Sequence, residues 1–284
     1  GAAKIGFERG DEVANAIAYC EAAVEAGLSV DSFAPRLSFF WNGHNNFFEE
    51  VAKFRAARRM WAQIMTERFG AKNPKSQTIR FHTQTGGVTL AAQQPENISA
   101  PVAQQGVPAV CGGTQSLHTN GYDEALALPT EKAARIALRT QQIIAAESGA
   151  TDTVDPFAGS YYVEALTDEI EAGAQALIDK VEELGGSVQC IPFIRSEVEE
   201  SAWGYEERYR IKQDVVVGVN EYVTDDVDEV ETLRVDPQSE HEQVARLKEF
   251  KASRDQAAVG AALAELGATA QGTGNLLHPI RAAV

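Results

Sequence analysis

Arg80, His82 and Gln84 stand at every second position of the run Ile79–Thr85, with Phe81 and Thr83 between them. Side chains alternate across a strand, so the three polar groups share one face and their neighbours the other. Arg36 and Ser38 repeat the spacing in Arg36-Leu37-Ser38-Phe39-Phe40, and the segment from Gly112 to Asn120 is more polar still. Guanidinium, imidazole, amide and hydroxyl groups bind and orient polar ligands. Buried without partners, they cost free energy. Several strands sharing a polar face therefore predict a ligand lying along that face.

Other segments must position those strands. Residues 11–27 read as a helix, with Val13, Ala16, Ile17 and Cys20 on one stripe and Gly27 as its stop. A short apolar strand is expected from Ser38 to Trp41. A long helix is expected over residues 46–69, with Phe47, Val51, Phe54, Trp61, Ile64 and Met65 at helical spacing and Gly70 at its end. Residues 72–76 read as a loop before the polar-faced strand. Residues 97–109 lie where a helix should link two strands, yet Pro101 and Pro108 oppose one, at ~3 kcal/mol for an interior proline. A glycine-bounded strand follows around Cys111 to Leu117.

Thr130 is read as the cap of a helix running to Ser148 with Gly149 as stop, and a further helix runs from Thr167 to Leu184, ended by Gly185 and Gly186. Val215 to Val219 reads as an apolar strand. Ser239 with Glu242 reads as a capping box for a last helix through Leu266. Strands alternating with helices indicate an α/β architecture with parallel crossovers. Three or four strand–helix units fit within residues 1–150, and residues 151–284 read as mostly helical.

Composition removes several classes. With 284 residues, 44% of them apolar, the chain can bury a large core. A formal net charge of −16 opposes non-specific nucleic-acid binding, which relies on a cationic surface. Cys20, Cys111 and Cys190 are widely spaced, so they predict reduced thiols in a cytoplasmic protein rather than a metal site. No apolar run approaches the ~18 residues of a membrane span, and no signal peptide is read at the N-terminus.

Several long motifs, in order, carry a resemblance. They are Phe33-Ala34-Pro35-Arg36-Leu37-Ser38-Phe39-Phe40, Gln93-Gln94-Pro95-Glu96-Asn97, Gly112-Gly113-Thr114-Gln115-Ser116-Leu117-His118-Thr119-Asn120, Asp123-Glu124-Ala125-Leu126-Ala127-Leu128-Pro129-Thr130, and Asp155-Pro156-Phe157-Ala158-Gly159-Ser160-Tyr161. Together they resemble the methylmalonyl-CoA mutase family from about residue 11 to about residue 281. The resemblance implies an adenosylcobalamin-dependent mutase that rearranges the carbon skeleton of an acyl-CoA. It also implies a (β/α)8 barrel whose axis is lined by small and polar residues around the pantetheine arm of CoA. Most barrels of this type fill their axis with branched aliphatics instead.

By resemblance, Arg36 and Ser38 contact the CoA part of the substrate, and His82 and Gln84 form the polar pair beside the acyl group. Gly87, Glu124 and Ala127 lie near cobalamin and its adenosyl group. Gln115 and Asn120 line the same cavity, on its substrate and cofactor sides respectively. No metal ligand is expected. Each role has a structural rival: Arg36 as an ion-pair partner, His82 as a satisfied core histidine, Glu124 as a neighbour of a helix N-terminus.

The chain departs from the family pattern in three respects. The first half-barrel is missing, so the resemblance implies a partial barrel made of the later strands. No Asp-x-His-x-x-Gly motif of a cobalamin-binding domain occurs. The 97–109 segment lacks the family's arginine. The expected function is a portion of an acyl-CoA mutase in an oligomer. Complementary chains would supply the other half-barrel and a cobalamin-binding domain or small subunit. The alternative is a catalytically inactive CoA-binding or assembly module derived from the mutase.

Overall fold

The computed structural model describes residues 2–225 and 230–284, which divide into a unit ending at Leu233 and a smaller one from Arg234 to Val284. The first unit opens with α1 (Ala2–Glu25), whose end is turned by Gly27 at φ +88°. Single turns α2 (Val30–Phe33) and a 3-10 segment (Ala34–Arg36) lead into β1 (Phe39–Gly43). Helix α3 (Phe47–Gln63) continues as a π-helical turn through Arg68, and Gly70 at φ +64° ends it. The expected loop at 72–76 contains a single turn, α4 (Pro74–Gln77), capped by the Asn73 side chain. Then come β2 (Phe81–Thr85), α5 (Ser99–Cys111), β3 (Ser116–His118) and α6 (Glu131–Glu147).

The three strands are parallel and lie in sequence order, with Phe40 opposite His82 and His82 opposite Ser116. Trp41, Phe81 and Leu117 point to one side. There they meet Phe54, Ala57 and Trp61 of α3 and Ala109 of α5. Helix α3 is buried nearly all round because a second layer covers its back. Val13 and Ile17 of α1 pack there against Met60, together with Ala174, Ile178 and Val181 of α7 (Tyr161–Glu183). The α7 stripe Val163, Thr167, Ile170, Ala174, Ile178 recurs every three or four residues, so one helical face is buried along its length. Helix α7 starts six residues before the expected Thr167, behind the turn Asp155–Ser160, and stops at Gly185 and Gly186, both at positive φ.

Both prolines of the 97–109 segment are accommodated in a helix. Pro101 lies in the first turn of α5, where the backbone N–H has no intrahelical partner to lose. Pro108 lies inside, three residues from the end, while Val102, Gln105, Gly106 and Ala109 are buried around it. Tertiary packing outweighs the local penalty. Gly106 is what lets α6 approach, since a Cβ there would sit 2.8 Å from Ile144 Cδ1.

Two readings are corrected in the C-terminal half. Val215 to Val219 is no strand; only an isolated bridge joins Val217 and Glu221. Gly218 turns the chain at φ +78°, and the Asn220 side chain accepts from Val216 N at 2.8 Å and donates to Asp214 O and Tyr209 O. This turn, which follows α8 (Ile191–Arg210), takes the backbone groups a ladder would need. In the smaller unit, α9 (Pro237–Ser253) is capped by Asp236 rather than Ser239. The helix does not run on to Leu266 either. Asp255 caps a separate α10 (Gln256–Ala270), accepting from Ala257 N and Ala258 N, and α11 (Leu277–Ala283) follows. A side chain that caps the backbone of residues just after it competes with helix continuation. No helix among the described residues is long and apolar enough to cross a membrane. The cysteines are buried and form no disulfide, and burial pushes the Cys20 thiol up to about 11.

The turn before α7 is pinned to α3 by Arg55. Its guanidinium donates to Asp155 at 2.9 Å, to both carboxylate oxygens of Glu164 at 2.7 and 3.2 Å, and to Thr167 at 2.9 Å. Those bonds, with a further one from Gly159 N, hold the Glu164 carboxyl below the usual carboxylate range. A carboxylate with a depressed folded pKa contributes its stability above the unfolded value of ~4.3 and loses it as pH falls through the folded one. Urea midpoints of the parent and of Glu164→Gln are therefore expected to differ at neutral pH and to converge as pH drops below about 4. A difference that stays constant down to the acid transition would show that the Arg55 pairing contributes nothing.

Candidate active site

The face of the sheet away from α3 and α5 carries the polar residues in two rows. Phe40, His82 and Ser116 stand in register across the strands, and Asn42, Gln84 and His118 form the next row. No described segment packs its core against this face; Phe40, Asn42, Ser116 and His118 are exposed. His82 Nδ1 lies 2.7 Å from Ser116 Oγ, and its ring is 5.2 Å from that of Phe40. That engagement leaves Nε2 available. The side chains of Asn42, Gln84 and His118 make no hydrogen bond with the described residues. Buried parallel sheets read as apolar on both faces; this one is apolar only beneath.

Arg36 and Ser38 lie at the amino end of the sheet, both exposed, one on the 3-10 turn and one just before β1. Arg36 makes no ion pair among the described residues. Its structural rival therefore has no partner here. Gln115 is placed differently from the other polar residues. Its Oε1 accepts from Phe81 N at 2.7 Å and its Nε2 donates to Gly113 O at 2.8 Å, so it joins the start of β2 to the turn before β3.

At the carboxyl end of the strands three of the residues singled out in the sequence converge. Gly87 opens a 3-10 turn after β2. A Cβ on it would sit 2.9 Å from Asn120 Nδ2 and 3.5 Å from Glu124 Oε1. Asn120 is buried, and its Oδ1 and main-chain N both bond Thr85 Oγ1, at 3.2 and 3.0 Å. Its Nδ2 has no partner. Glu124 is exposed on the turn between β3 and α6, well short of the α6 N-terminus. Ala127 is half-buried on the same turn. Asp123 fixes that turn: its Oδ2 accepts from Thr130 N at 2.9 Å and from Thr130 Oγ1 at 3.2 Å. Thr130 in turn caps α6.

The cradle suits a large hydrogen-bonding ligand. It offers a glycine for close approach, an unpartnered buried amide N–H₂ and an exposed carboxylate. Reasoning from the sequence missed two charged groups beside β1. Glu50 and Lys53 form a buried ion pair on α3, and Lys53 Nζ donates to Asn42 O at 2.6 Å. Both fall on the aromatic helix read as plain core, where nothing in the helical period marks them.

Comparison with known proteins bears on the same residues. The family model described as methylmalonyl-CoA mutase matches residues 3–284. The 2-hydroxyisobutanoyl-CoA mutase large subunit of Aquincola tertiaricarbonis is 45% identical over 271 residues, which covers 94% of this chain and 48% of that protein. Methylmalonyl-CoA mutase of Cereibacter sphaeroides is 48% identical over 265 residues, 92% of this chain and 37% of that protein. The human mitochondrial methylmalonyl-CoA mutase is 45% identical over 93% of this chain and 36% of its own length. The chain thus spans roughly a third to a half of the curated relatives it matches. The matched range includes the polar-faced strands and the Gly87 cradle, and by this match the chain belongs to the methylmalonyl-CoA mutase family.

Proposed function

We propose that this chain is part of the catalytic domain of an adenosylcobalamin-dependent acyl-CoA mutase, an intramolecular transferase acting on short branched acyl groups. The observation that carries the reading is the pair of polar rows, Phe40–His82–Ser116 and Asn42–Gln84–His118, on the helix-free face of a parallel sheet. Strands in sequence order with their helices on one side belong to a sheet that curls toward a (β/α)8 barrel; a doubly wound sheet has helices on both faces. The polar rows then face the barrel axis, and further strands complete the wall. We place the cobalamin-binding part on another domain or on a separate small subunit, within a cytoplasmic oligomer.

The residues divide the work along the sheet. Arg36 and Ser38, at the amino end, hold the CoA portion; a planar guanidinium suits a phosphate or carbonyl. His82, held at Nδ1 by Ser116, presents Nε2 to the acyl group beside the amide of Gln84. Gln115 keeps the start of β3 in place next to them. Gly87 admits a flat macrocycle, Asn120 donates from its unpartnered Nδ2, and Glu124 accepts from ribose hydroxyls, with Ala127 lining the turn. Gly87, Asn120, Glu124 and Ala127 would hold adenosylcobalamin there, and the group would supply the radical chemistry. The protein's share is to orient the substrate and exclude water.

The test has two arms. Arg36→Ala in the assembled protein is expected to weaken acyl-CoA binding, read by calorimetry, by roughly tenfold or more, since a hydrogen bond to a charged group contributes about 1.5–3 kcal/mol. Unchanged affinity would remove Arg36 from the channel. Residues 1–284 alone with acyl-CoA and adenosylcobalamin are expected to give no turnover; turnover would contradict the reading that further strands complete the wall.

A further inference from the structure

Gln105 sits in the middle of α5 and is completely buried, and its side chain makes no hydrogen bond to any residue of the polar rows. Its side chain uses every polar atom. Oε1 accepts from Gly86 N at 2.8 Å, and Nε2 donates to Asn45 Oδ1 at 2.5 Å and to Thr89 Oγ1 at 2.6 Å. Thr89 Oγ1 donates to Gly86 O at 2.7 Å, so the turn from Gly86 to Thr89 is closed on itself and then tied to the helix. The neighbouring Gln104 donates to Asn45 O at 2.9 Å, and Asn45 is thereby held at both its side chain and its carbonyl. Gly86 N also reaches Gly43 O at 2.8 Å. A Cβ on Gly43 would come within 3.2 Å of Gln105 O, so α5 is seated directly on the end of β1.

One amide therefore joins the loop after β1, the loop after β2 and the helix that leads to β3. Gly87 lies inside the tied turn, and on its other side stand Asn120 and Glu124. We propose that Gln105 is a positioning residue, which sets the height of Gly87 against Asn120 and Glu124 without touching a ligand. The ligand half of this proposal rests on the cofactor reading of that cradle; the tether itself does not.

Gln105→Met keeps the volume and removes all three bonds. In the full-length protein, assembled with its cobalamin-carrying part, amide exchange of residues 86–89 is expected to quicken at least tenfold while that of 81–85 is unchanged. Adenosylcobalamin affinity, read by spectral titration, is expected to fall at least tenfold, with CoA affinity kept within threefold. Thr89→Val should reproduce the effect from a half-buried position that leaves the core intact. Thr89→Ser should restore the parent values, and the Gln105→Met/Thr89→Val pair should be no worse than the worse single variant. Unchanged exchange at 86–89, or exchange that rises equally in β2, overturns the tether. Equal losses of cobalamin and CoA affinity overturn the positioning role. If the parent protein binds no cobalamin, the cofactor reading has failed, and the exchange data still decide the tether.

Discussion

Phe54→Ala is expected to lower the stability of the larger unit by about 3–5 kcal/mol, the range for deleting a fully buried aromatic ring. For a unit of this size that corresponds to a fall in Tm of roughly 6–20 °C. Phe54 has no exposed surface, stacks on Phe81 at 5.0 Å between ring centres and lies 6.0 Å from Trp41. It thus joins α3 to β1 and β2 at once. It also blocks the space over Gly112, where any Cβ would run into its ring. The cavity left by alanine cannot collapse, because Trp41, Phe81 and Trp61 are themselves fixed by the sheet and by one another. Guanidinium unfolding of the isolated chain measures it. Val88→Ala, at a site 88% exposed, serves as control and should stay within about 0.5 kcal/mol of the parent. A Phe54→Ala midpoint indistinguishable from that control would mean that the core is not organised around this ring.

Gly87→Leu is expected to abolish cobalamin binding, a loss of more than a hundredfold and so at least ~2.7 kcal/mol. The first added carbon already meets Asn120 Nδ2 at 2.9 Å, and Asn120 cannot swing aside without leaving Thr85. The rest of the side chain fills the space between the amide and Glu124. The backbone at Gly87 needs no left-handed conformation, so the turn itself is unstrained; displacing Asn120 from Thr85 costs stability, and thermal unfolding should show a lowered Tm but a folded protein at the titration temperature. Acyl-CoA affinity should hold, because Arg36 and Ser38 stand at the opposite end of the strands. Retained cobalamin affinity would move the cofactor away from this cradle; loss of both ligands would point to a collapsed channel instead.

Local chemistry decided what could be read without a structure. The α6 helix was legible at both ends because Thr130 and Gly149 act on their own neighbours, through a cap to Ala133 N and a turn at φ +70°. The polar rows were legible because strand alternation needs no tertiary information. Val215 to Val219 misled because apolar β-branched residues favour a strand only where a partner strand exists, and Asn220 occupies the backbone instead. Pro101 and Pro108 argued against a helix that packing nonetheless stabilises. Asp236, not Ser239, caps α9, since both are good caps and only the position of the preceding turn chooses between them. Gln105 gave no sign at all: a glutamine in a helix reads as a solvated residue, and its three partners lie on two loops, at residue 45 and at residues 86–89, that the sequence does not bring to it.

The order of the strands also governs how the molecule is made. Each strand pairing in the sheet encloses an entire helix: α3 lies between β1 and β2, and α5 between β2 and β3. No tight turn can seed such a sheet. The chain must close a long loop before the first inter-strand bond forms, and that entropy is lost in advance of any gain. Folding of this unit is therefore expected to wait on the docking of α3, with the backbone bonds of β2 among the last to form. The face that gathers the polar rows would then not exist in any early intermediate.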